Sequence, residues 1–187
     1  TLGASKSKTF GLGWGETPEE IEGKGEVLVK RRESESSELW LATSLKEGIS
    51  LAHYYNLTFY EGHGLQMVAM IGKSYSKPET AIKDAKTYVK MLADQYNDPA
   101  ENYDCLDTYN HWRRSDDLFR DLKKRQVPCY PSFNRGSDMG KVYLRLNSDS
   151  GRDAYLTITY VSDSLDEISE EAKKNKEAER MQDEGKL

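Results

Sequence analysis

The clearest alternation of apolar and polar positions runs from Leu51 to Tyr60, turns at Glu61-Gly62-His63-Gly64 and returns along Leu65 to Ile71. Successive strand residues face opposite sides, so His53, Tyr55, Leu57 and Phe59 share one face of the outgoing strand, and Tyr54, Asn56, Thr58 and Tyr60 share the other. One apolar and one polar face predict an antiparallel hairpin with a single buried side. The same period marks Lys141 to Asn147, where Val142, Leu144 and Leu146 alternate. It resumes from Ala154 to Val161 after a turn at Asp149-Ser150-Gly151. Glu26 to Arg32 and Glu38 to Ser44, on either side of a polar turn at Glu33 to Ser37, make a third hairpin.

Helical spacing interrupts the strands. Thr17-Pro18-Glu19-Glu20 has the form of a capping box with proline at the first helical position, and Gly23 and Gly25 end that helix early. Ser76 and Glu79 form a second capping box ahead of Ile82, Ala85, Val89, Leu92, Ala93 and Tyr96, a stripe that stops at Asn97-Asp98-Pro99. Ser115 caps a short helix with Leu118, Phe119 and Leu122 on one side. The stretch from Glu101 to Met139 is otherwise irregular. From Leu165 to Met181 only Leu165, Ile168 and Ala172 form an apolar stripe, and the far end is almost wholly charged. These elements predict an α+β fold, an antiparallel sheet of about six strands with helices mainly on one face. The organisation expected is a flexible lead over 1–9, a single α+β domain over 10–164, and a charged helix or tail over 165–187.

Composition narrows the partners. The chain has 187 residues, 32% of them charged, and a net charge of −5 with both signs intermixed. A phosphate-neutralising surface needs concentrated Lys and Arg, so nucleic acid is not an expected partner. No apolar run approaches the roughly 20 residues of a membrane-spanning helix. Cys105 and Cys129 are the only cysteines. As an isolated pair around an irregular segment they suggest a disulfide, which would favour an oxidising compartment; two free buried thiols are the alternative. Thr1 in place of an initiator Met points to the processed body of an exported protein, periplasmic or secreted. A lipid anchor removed from this chain is left open.

The string Phe10-Gly-Leu-Gly-Trp14-Gly-Glu-Thr17-Pro-Glu-Glu20-Ile21 resembles the opening of small bacterial exported proteins and lipoproteins. There an aromatic-Gly stretch leads into a capped helix and an antiparallel sheet, and several of those proteins look like the β-lactamase-inhibitor-protein fold. The resemblance rests on that motif and on element order. It implies adhesion, inhibition or assembly more than catalysis, and it transfers no functional residue.

Catalytic and cofactor motifs are lacking. His53, His63 and His111 stand in no metal-ligand spacing, no nucleophile elbow occurs, and Gly11-Leu-Gly13-Trp-Gly15 lacks the Lys and Ser/Thr of a phosphate loop. The glycines there suit close backbone packing. Asn147, Asp149, Gly151 and Asp153 hint at a calcium loop, yet without a downstream Glu they read as a hairpin turn. Neither a metal nor another cofactor is expected. The aromatic inventory is more informative, because 12 Tyr against 4 Phe favours side chains with an apolar body and a polar tip. If the apolar strand faces meet the helices, the opposite face collects Trp40, Tyr54, Asn56, Thr58, Tyr60, Tyr143, Arg145, Tyr155, Thr157 and Thr159. Aromatics and Arg dominate interface hot spots, so Trp40, Tyr54, Tyr60, Tyr143, Arg145 and Tyr155 are the candidate binding residues. An ordinary solvated face with cross-strand pairs is the competing view. The expected function is a non-enzymatic binding or interaction module of the bacterial envelope that contacts a protein or a carbohydrate. Two alternatives remain open: an inhibitor or immunity protein of a toxin or hydrolase, and an enzyme with its site near His111, Asp107 and Arg113.

Overall fold

The structure, a computed structural model, describes residues 8–96, 115–127, 129–136 and 138–186; all structural statements concern these. Among them the strands are β1 (Val29–Glu33), β2 (Ser37–Ala42), β3 (Ala52–Tyr60), β4 (Gly64–Tyr75), β5 (Ser132–Asn134), β6 (Lys141–Asn147) and β7 (Ala154–Val161). The helices are α1 (Pro18–Gly23), α2 (Pro78–Tyr96), α3 (Ser115–Lys123) and α4 (Leu165–Glu184). The strands form one antiparallel sheet in the order β1-β2-β3-β4-β7-β6-β5. The fold is therefore α+β, with seven strands where about six were expected. The added strand is β5, three residues long at an edge, too short to leave a readable alternation.

Local chemistry accounts for the element ends. The Thr17 hydroxyl accepts the Glu20 N–H at 3.2 Å, and Pro18 follows at the first helical position. Helix α2 opens on Pro78, two residues past the Ser76 expected as its cap. Its buried side is Pro78, Ala81, Ala85, Val89 and Leu92. The alanines let this helix approach the sheet closely, on the β4, β7, β6 and β5 side, with α3 beside it on β6. Leu118, Phe119 and Leu122 of α3 join Leu57, Val68, Tyr160, Val142, Leu144 and Phe133 in one apolar core.

The amino-terminal segment closes the same core. Phe10 sets its ring edge-on against Tyr55 and Tyr160, with centroids 5.0 and 5.2 Å away. Thr9, assigned to the lead by the sequence, is 3% exposed. Gly15 donates its N–H to the Leu65 carbonyl, and Leu65 donates to the Glu16 carbonyl, so this strap docks on the start of β4. Gly64 has a positive φ, and a Cβ there would collide with the Gly15 carbonyl. Close backbone approach therefore falls on Gly64, whereas a Cβ at Gly11 or Gly13 would meet the side chains of Glu47 and Glu16, and one at Gly15 nothing nearer than the His63 carbonyl at 3.9 Å. One alternation fails: the β3–β4 register shifts between Ala52 and Tyr54, and His53, expected in line with the core, is exposed at the irregularity.

Candidate functional site

Cross-strand register sorts the sheet into two faces, because directly paired antiparallel residues point the same way. Trp40, Leu57, Val68, Tyr160, Val142 and Phe133 form one row across it, and this is the face that bears the core. The neighbouring row, Leu41, Asn56, Ala69, Thr159, Tyr143 and Ser132, points the opposite way. Trp40 is therefore separated from the tyrosines it was grouped with. The sequence cannot count β2 from its partner, and a shift of one residue exchanges the faces. Trp40 instead sits half-buried over Phe59, with centroids 6.4 Å apart, and donates its indole N–H to Glu38 at 2.8 Å. Lys30 lies 5.9 Å from the Trp40 ring and pairs with both Glu33 and Glu38, which raises the Lys30 ammonium pKa and lowers that of Glu38.

On the outward face, Tyr54, Ile71, Thr157 and Arg145 make a third row. Tyr155 is two residues from Thr157 on β7, and Tyr143 is two from Arg145 on β6, so four of the six candidate residues gather at one corner. All four are half-buried, as expected of large side chains lying on an open sheet. The Arg145 guanidinium stacks on Tyr130, 4.8 Å from its centroid. Among the described residues it has no hydrogen-bond acceptor and no ion-pair partner. Tyr155 donates to the Asp149 carboxylate at 3.2 Å, and its phenol pKa is raised by burial first and by Asp149 next, against the opposing charge of Arg145. Asn147 holds the row in place by donating to Thr157 at 3.0 Å. Tyr130, 39% exposed, is part of this corner and was missed. It precedes β5, whose brevity hid the pairing that brings it beside β6.

Tyr60 lies elsewhere. Six residues from Tyr54, it is displaced by roughly 20 Å along the strand. It borders a groove of about 350 Å³ between α4 and the turns at 34–36 and 61–63, with His63, Ile168, Glu171 and Lys176. Here α4 crosses the end of the sheet: Lys176 pairs with Glu35 at 3.2 Å, and His63 lies 3.8 Å from Glu171. The rest of α4 is exposed apart from Ile168 and a few half-buried neighbours.

The other candidates resolve as structure or fall outside the described residues. Ser148 accepts the Gly151 N–H and Ser150 accepts those of Arg152 and Asp153, so polar groups of the 148–153 turn are used internally. No cluster of His, Cys, Asp and Glu suited to a metal occurs among the described residues. Among them, too, no helix is long and apolar enough to cross a membrane. His111, Asp107, Arg113 and Cys105 lie outside the described residues. Cys129 is 3% exposed and carries no free thiol. Comparison with known families, with characterised proteins and with solved structures finds no match to this chain.

Proposed function

We propose that this protein is a non-enzymatic binding module whose contact surface is the outward sheet face around Tyr54, Tyr143, Arg145 and Tyr155, with Tyr130 added. The observation that carries the reading is Arg145: a half-buried residue of the outward face whose guanidinium is stacked on Tyr130 and has no counter-charge among the described residues. Tyr presents a large contact area with few mobile torsions, and Arg adds a planar donor set; both are enriched at interface hot spots. The face is also stiff, because Tyr54, Tyr143, Arg145 and Tyr155 stand on β3, β6 and β7, with β4 joining β3 to β7, and the opposite side of that sheet is filled by the core. We place the module in the bacterial envelope or outside the cell, in keeping with the resemblance of Phe10 to Ile21 to exported proteins; the absence of a free thiol at Cys129 supports an oxidising compartment. A disulfide between Cys105 and Cys129 is part of this proposal.

The test is a photo-crosslinking residue placed at position 143, with the exposed Lys90 position on α2 as control, in cells of the source organism. A discrete adduct is expected at 143 and not at 90. It should disappear when Tyr155→Ala and Arg145→Gln are combined, while the fold is retained. Equal adducts at both positions, or none at 143, would refute the assignment of this face.

A further inference from the structure

The outward sheet face differs in charge from the rest of the molecule. The whole chain carries 32 acidic and 27 basic residues. Yet the strand positions that the register turns outward include Arg32, Lys141 and Arg145 and not one Asp or Glu. The strand carboxylates, Glu33 and Glu38, belong to the opposite face, where Lys30 answers both. Among the described residues the other carboxylates lie in turns, loops, helices and the amino-terminal segment. Asp149, at the rim, is already engaged by Tyr155.

Resting on the proposed binding role of this face, we infer that its partner is a protein segment bearing carboxylates on an apolar or aromatic background. Arg145 supplies the charge, with a planar donor set that fits a carboxylate and whose attraction strengthens as the contact loses water. Tyr130 holds the guanidinium plane, so less freedom is lost on binding. Toward β1 the same face turns aliphatic, through Val29, Leu39, Leu41, Met67, Ala69 and Ile71. Aliphatic groups gain by covering apolar protein side chains and gain little from sugar hydroxyls, so a protein is favoured over a carbohydrate. Three dispersed cations on a chain of net charge −5 do not match a phosphate backbone.

Random Glu/Tyr and Lys/Tyr copolymers are suitable probes, with cellohexaose as a neutral sugar. Hydrogen–deuterium exchange on the full chain locates each of them. The Glu/Tyr copolymer should protect amides of β6 and β7, bind less tightly as salt is raised, and weaken at least tenfold in Arg145→Gln, with a smaller loss in Lys141→Gln. The Lys/Tyr copolymer should protect the acidic helix α4 and leave β6 and β7 unchanged. Protection of the sheet face by the Lys/Tyr copolymer or by cellohexaose, or an unaltered affinity in both variants, overturns the acidic-partner inference and leaves the face as a binding surface of other chemistry. Protection that grows with protein concentration without any probe identifies a second copy as the occupant and equally overturns it. If no probe protects the face, this inference and the proposed function both fail.

Discussion

Arg135 is the residue on which the amino-terminal strap, α2 and β7 converge. Its guanidinium lies 4.7 Å from the Tyr160 ring, donates to Thr9 Oγ1 at 2.7 Å and reaches Tyr96 Oη at 3.3 Å. Trp14 fastens the same corner by donating its indole N–H to the Met139 carbonyl at 3.1 Å. Charge-assisted hydrogen bonds and a shielded cation–π contact predict that Arg135→Ala costs about 2 kcal/mol, and Arg135→Lys about half of that because the fork is lost. Urea unfolding of the two variants measures this; a loss below about 0.5 kcal/mol for the alanine would show that the cluster is solvated. Nothing in the local sequence marks Arg135, whose contacts are up to 126 residues away along the chain. Arg145 differs: alternation along β6 placed it opposite Leu144 and Leu146 before any partner was known.

At the scale of elements, long strands and helices were legible and short or shifted ones were not. β3, β6 and β7 carry enough alternating residues to declare their faces, and α2 enough repeats to declare its stripe. β5, with three residues, has no period to read, and a bulge such as that at His53 breaks the count. The β1–β2 pair misled most, since β2 is half-buried along nearly its whole length and Trp40 belongs with Leu57 only through pairing. Cys129 sits between α3 and β5, buried and without a free thiol. If it is bridged to Cys105, natively folded protein treated with an alkylating reagent gains no mass, and a thiol reductant, supplying two electrons and two protons, adds two hydrogen atoms. Two alkylated thiols before reduction would remove the bridge and the support it lends to an oxidising compartment.

Across the whole molecule, buried phenols set the alkaline limit. Burial, then the hydrogen bond to Asp84, raises the pKa of Tyr75; burial, then Tyr96, raises that of Tyr160 against the opposing charge of Arg135. A pKa raised on folding means that the neutral form is favoured in the native state. That stability is fully present below the unfolded value of about 10 and is lost as pH rises toward the folded value. The urea midpoint should therefore fall above about pH 10, and Tyr75→Phe with Tyr160→Phe should flatten the fall; an unchanged slope would place the loss in other groups. By itself the sequence determined the α+β class, three hairpins, the main helices and a surplus of half-polar aromatics, because these follow from periods of two and 3.6 residues and from side-chain chemistry. Only the tertiary structure decided that β7 joins β4, that Trp40 belongs to the core side, that Tyr60 lies under α4, and that Tyr130 stacks on Arg145. Each depends on which strands pair and in what register, and that is settled by how well distant apolar faces fit when buried together, an energy that no local stretch of the chain contains.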